Sequence, residues 1–224
     1  IYLGNMIGVG PHSRETIDEI LSFRRQFLSI PGVKPDDVTY LRGAQEEMLE
    51  KLMQLQFATN PRQILDWMMA QGVKPTLQSY QVQADAAHEL CGAGVIPLSR
   101  WTEGVRTAIH ACPGHAQYFS SLRRAAYTDI QNHVDNLLFV HAGLDMSLPL
   151  HQQGDRFWWG RDDFQTYSRP YQPFSKVIRG YDHQHRGLHL NCVTATVDDG
   201  CGYGGALVCA RLAAGEQIEA ALRA

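Results

Sequence analysis

A single α/β domain carrying a helical insertion is predicted by three observations. Short β-rich apolar runs end in glycine-bearing loops, amphipathic stretches of helical period separate the early ones, and residues from about 61 to 122 read as helix throughout. Ile1-Tyr2-Leu3 runs straight into Gly4, as though the chain begins inside a strand, and a segment upstream is expected to be missing. Ser13 to Ile30 sets Ile17, Ile20, Leu21, Phe27 and Leu28 on one helical stripe, with Glu15 in the first turn and Pro31-Gly32 as the stop. Asp37 to Leu41 reads as a strand ending at Arg42-Gly43, and Glu46 to Phe57 returns to helical spacing through Met48, Leu49, Leu52 and Met53. The 61–122 insertion, or cap, is punctuated at Gly72, Pro75, Gly92, Gly94 to Pro97 and Pro113-Gly114. Strands are expected next at Ala125 to Ile130, after a turn over 131–136 at Leu137 to Val140, and then at Lys176 to Arg179, Gly187 to Val197 and Ala206 to Arg211.

Composition narrows the class. Over 224 residues, 44% hydrophobic content supplies a core, and 20 Lys and Arg against 23 Asp and Glu leave a net charge of −3. That balance makes no electrostatic case for nucleic acid or for an anionic membrane. No apolar run approaches the ~20 residues of a membrane span, and the opening residues lack the pattern of a signal peptide. Cys91, Cys112, Cys192, Cys201 and Cys209 are odd in number and scattered, without a C-x-x-C pair, and read as reduced core thiols of a cytoplasmic protein.

In an α/β sheet the chemistry sits at the strand ends. Four such loops carry the polar residues: Gly4-Asn5-Met6-Ile7-Gly8-Val9-Gly10, Arg42-Gly43-Ala44-Gln45-Glu46, His141-Ala142-Gly143-Leu144-Asp145 and Arg179-Gly180-Tyr181-Asp182-His183. Their order and spacing, with Trp159 to Phe164 and Asp198 to Leu207, resemble the PPP family of serine/threonine phosphatases, in its bacterial branch. The resemblance implies a calcineurin-like metallophosphoesterase β-sandwich flanked by helices, with the 61–122 segment as a helical cap, and it covers nearly the whole chain. The family's first motif, G-D-x-H-G, has no counterpart in this sequence.

Members of that family hold two divalent metals, such as Mn or an Fe/Zn pair, which orient and deprotonate the attacking water. The resemblance places the bridging Asp on Asn5, the Asn ligand on Ala44 and one His ligand on Tyr181, leaving His141 as the one imidazole in place. The His that protonates the leaving group falls on Gln45, the Asp that orients it on Gly8, and a phosphate-clamping Arg on Val9. Arg161 corresponds loosely to a second phosphate contact. The glycines around these positions are retained, so the turns persist while their chemistry is gone, and no metal cofactor is expected.

A rewired metal site has one candidate set, His183, His185 and His189, against the plainer reading of a solvated His-rich loop. His141, without its partners, reads as a structural histidine hydrogen-bonded beneath the loops. Trp158 and Trp159 are either a recognition surface or core, Glu46-Glu47 reads as helix-surface charge, and Arg123-Arg124 as a solvated pair. The expectation is a pseudophosphatase that binds a protein partner or a second copy of itself at the old cleft, bordered by Trp67-Met68-Met69 and Phe157 to Trp159. A weak metallohydrolase and a structural subunit of a larger assembly stand as the other readings.

Overall fold

The structure, a computed structural model, describes residues 1–128, 136–160, 163–212 and 218–224. It is mixed α/β and divides into two compact units, one of residues 1–4, 39–43 and 123–224, the other of residues 5–38 and 44–122. Among the described residues no helix is long and apolar enough to cross a membrane.

The second unit is helical. Helix α1 (Ser13–Leu28) buries Ile17 and Ile20, and α2 (Ala44–Leu52) buries Met48, Leu49 and Leu52. Five helices follow: α3 (Pro61–Ala70), α4 (Val73–Ser79), α5 (Ala86–Ala93), α6 (Val95–His110) and α7 (His115–Ser121). Pro61 starts α3 at a position where no N–H is needed, and the Asn60 side chain caps it by accepting from the Gln63 N–H. The α3–α4 break falls on Gly72, whose φ of 106° is left-handed backbone that glycine adopts without strain. Inside the bundle His115 is wholly buried, contacting the Tyr80 hydroxyl through Nδ1 at 2.7 Å and Asp18 through Nε2 at 3.0 Å. One ring thereby ties α1, the end of α4 and the start of α7 together.

The first unit carries the sheet. Strands β1 (Ala126–Tyr127), β2 (Leu137–Val140), β3 (Lys176–Arg179), β4 (His189–Leu190) and β5 (Thr194–Thr196) lie in the order β1-β2-β3-β5-β4. The inner strands β2, β3 and β5 are parallel, and both edge strands are antiparallel to their neighbours. Period-two alternation sends Leu137, Phe139, Ile178, Ala195 and Val197 into one apolar cluster with Leu41. A two-stranded antiparallel sheet, β6 (Val208–Leu212) with β7 (Ile218–Arg223), lays Val208, Ala210 and Leu212 against that cluster. Short helix α8 (Arg156–Trp159) follows the β2 loop.

Several expectations are corrected. The strand expected at 37–41 is a 3₁₀ turn at Pro35–Asp37 followed by single bridges, Tyr40 to Tyr2 and Leu41 to Arg123. Helical spacing through Phe57 ends earlier, at Leu52, and resumes only as a 3₁₀ turn at Leu55–Phe57. The run 187–197 is two strands, because the Asn191 side chain accepts from the N–H groups of Val193 (2.8 Å) and Thr194 (2.6 Å) and folds the chain back. Strand β7 had no counterpart in the sequence reading, and most of the 131–136 turn lies outside the described residues. Of the five cysteines, all free, only Cys112 is buried, while Cys192, Cys201 and Cys209 are exposed. Glu46 and Glu47 are not surface charges, since both are buried.

Candidate functional site

The carboxyl ends of the parallel strands β2, β3 and β5 deliver His141, Tyr181 with Asp182, and Asp198 to one edge of the sheet, where α/β proteins place their ligands. His141 has no exposed surface. Its Nδ1–H donates to the Leu3 carbonyl at 2.7 Å, so the lone pair sits on Nε2, which is buried without a partner. Burial pushes the imidazole down to about 4, against the pull of the Leu3 bond and Asp198. Tyr181 stacks on it, ring centres 5.2 Å apart and 8° from parallel. Burial, with Tyr203 and Asp198, pushes that phenol up to about 12, so it stays protonated.

The depressed His141 has a consequence for stability. Between about pH 6.5 and 4 the unfolded chain takes up a proton there that the folded chain refuses, so the folded state gains stability as pH rises through that window. Relative to His141→Gln, wild type should gain about 3 kcal/mol from pH 4 to pH 7 in urea titrations. Equal pH slopes for the two proteins would show that the ring is accessible to protons.

The residues after Tyr181 join an ionic cluster that has no motif in the sequence. Asp182 is wholly buried, accepts from Arg186 Nε at 2.6 Å and Nη2 at 3.1 Å, and pairs with Arg179 Nη2 at 3.1 Å. Burial alone would raise its carboxyl, but the Arg186 hydrogen bonds and the Arg179 charge outweigh it and hold the group below the usual carboxylate range. Arg179 is itself 1% exposed, bonded to Thr196 Oγ1 at 3.0 Å and lying 4.5 Å over the Phe164 ring. The signal was present in the sequence as Arg179, Asp182 and Arg186 at spacings of three and four, but only the strand end turns them inward.

The remaining positions lie in the helical unit. Asn5 takes the left-handed conformation (φ 57°), which Asn tolerates, and its Oδ1 accepts the Gln45 N–H at 3.0 Å, capping α2. Gln45 Nε2 donates to the Gln71 carbonyl at 2.7 Å, while its Oε1 is buried without a partner. Gly8 abuts that amide, since a Cβ there would come within 2.6 Å of Gln45 Cδ. Val9 is partly exposed, and Ala44 presents a buried methyl group. The anchor is Glu46, 2% exposed, whose carboxylate accepts from the N–H groups of Asn5 (2.9 Å), Met6 (2.7 Å) and Ile7 (3.3 Å).

Taken unit by unit, these side chains differ in the donor atoms they offer. His141 offers one lone pair, the Asn5 oxygen is engaged with the backbone, Ala44 has no donor atom, and Tyr181 is a protonated phenol. His183, His185 and His189 are not gathered either: His183 lies beside Asp182, His185 bonds Asp198, and His189 sits on the edge strand β4. Among the described residues no group of three or more His, Cys, Asp or Glu side chains is placed to hold an ion. Arg161 lies outside the described residues. Trp158 is interior at 6% exposure, with the Arg124 guanidinium 5.4 Å over its ring, so of the tryptophan pair only Trp159 presents a surface. No family model matches the chain, and no curated protein matches it.

Proposed function

We propose that this chain is a catalytically inactive relative of the PPP phosphatases, a pseudophosphatase, which works by binding a protein partner or a second copy of itself. One observation carries the reading. Where the family would place a bridging carboxylate and a titrating acid, two amides are hydrogen-bonded into the backbone, Asn5 to Gln45 N–H and Gln45 to the Gln71 carbonyl. Neither amide balances a dication or donates a proton to a leaving group at neutral pH. The parallel strands with functional loops at their carboxyl ends, backed by the β6–β7 layer, support descent from a calcineurin-like sandwich. The orphaned Nε2 of His141 favours a second reading, a metallohydrolase with residual metal affinity and weak turnover.

Elemental analysis of the dialysed protein, run beside turnover of an aryl phosphate, separates the two. The pseudophosphatase should hold well under one equivalent of manganese, iron or zinc, and Asn5→Asp or Gln45→His should stay inactive, because metals, acid and clamp act as a unit. Two equivalents of metal with steady turnover, or activity regained by either single change, would overturn it. On the binding side, Val9→Arg and Trp159→Glu alter partly exposed apolar side chains and are expected to weaken co-purification with a partner or self-association.

A further inference from the structure

Asp198 and His185 form a hydrogen-bonded dyad in the sheet unit. Asp198 is fixed by three donors: Oδ2 accepts from the Asp182 N–H at 2.8 Å and from His185 Nδ1–H at 3.0 Å, and Oδ1 accepts from the Gly200 N–H at 2.9 Å. Because the carboxylate takes the Nδ1 proton, the lone pair of the neutral ring lies on Nε2. That nitrogen makes no hydrogen bond to any described residue, and the side chain is 21% exposed. His185 also holds a left-handed backbone (φ 47°), an unfavourable conformation for a histidine that the surrounding loop maintains.

The walls of the dyad are aromatic. The Tyr203 ring lies 4.1 Å from the imidazole, Tyr181 meets it edge-on at 5.5 Å, and Tyr203 remains 52% exposed. The Arg179 and Arg186 guanidiniums are bound to Asp182, and that of Arg223 is paired with Asp199. An imidazole oriented by a carboxylate between aromatic faces suits nucleophilic acyl transfer.

We propose that His185, oriented by Asp198, is a metal-independent nucleophile that hydrolyses activated aryl esters. The Nε2 lone pair attacks the acyl carbon, the bond from that carbon to the aryloxy oxygen breaks, and the phenolate leaves with that electron pair. Asp198 stabilises the positive charge on the acylated ring through the Nδ1–H bond. Water then attacks the acyl carbon, the carbon–nitrogen bond breaks with its pair returning to Nε2, and the proton the water loses passes through solvent to the released phenolate, so ester and water give acid and phenol. The inactivity proposed above concerns phosphate esters; this acyl transfer goes beyond the binding role and stands or falls apart from it.

The probe is p-nitrophenyl acetate with chelator-treated protein. Release of nitrophenolate should exceed that of free imidazole at equal concentration by about tenfold or more and fall to background in His185→Gln. His12→Ala, which removes a far more exposed imidazole, should leave the rate unchanged. Asp198 is a positioning residue, so Asp198→Asn should lower kcat with little change in KM. Diethyl pyrocarbonate, which acylates imidazoles stably, should modify His185 of the wild-type chain before His12, the reverse of the order set by exposure, and this measurement stands even where a variant fails to fold. An undiminished rate in folded His185→Gln, loss of the rate to the chelator, or faster modification of His12 would each refute the assignment.

Discussion

Glu46→Ala should lower the unfolding free energy by about 4 kcal/mol, one of the two largest single-residue effects expected in this chain. Its carboxylate is 2% exposed and is the acceptor for three successive backbone N–H groups, those of Asn5, Met6 and Ile7. Each N–H left buried without an acceptor costs about 1–3 kcal/mol, and no other group in the loop can replace all three bonds. Glu46→Gln keeps one acceptor oxygen and should lose about half as much. Urea titration measures both, and amide exchange at Met6 and Ile7 should quicken beyond the global change in Glu46→Ala. If that variant unfolds within 1 kcal/mol of wild type, the loop finds water or another acceptor and the carboxylate is not its anchor.

Asp182→Ala should be comparably severe, at about 3–5 kcal/mol, because it strands Arg179, 1% exposed, without its counter-charge. Asp182→Asn retains the shape and should be milder, though it leaves the same uncompensated guanidinium. The pH dependence has a defined sign. The folded-state carboxyl lies below its ordinary value, so its contribution is complete above the unfolded carboxylate range and is lost as pH falls through the lowered folded value. Wild type should therefore lose stability on acidification below about pH 4 more steeply than Asp182→Asn does. Parallel acid limbs for the two proteins would mean that Arg186 and Arg179 do not hold the charge.

The periodic parts of this chain were legible in its sequence, and the paired parts were not. Helix α1, the helical character of 61–122 and strands β2 and β3 were read where they stand, because four or more residues repeat one pattern before a glycine or proline ends it. The segments at 2 and 40 carry the same apolar pattern but make single bridges, since a strand is completed by its neighbour. The division of 187–197 turned on one asparagine side chain, and β7 on pairing with β6 across residues that show no strand period of their own.

At the candidate site, residue identity alone already told that Ala44 supplies no ligand and that Gln45 cannot titrate, because those are properties of atoms. Which oxygen or nitrogen remained available was a matter of tertiary structure. Glu46 and Lys51 both look like surface charges on one helix, yet Glu46 is turned onto three N–H groups and buried, while Lys51 stays in water. Likewise Asp182 to His185 reads as one polar loop, but the end of β3 and the carboxylate of Asp198 send Asp182 inward onto two arginines and leave His185 half-open between two tyrosines. A side chain's chemistry is intrinsic to it, whereas its burial, its partners and the direction of its lone pairs are set by residues distant in sequence, and those alone decided which polar groups here hold the fold and which face outward.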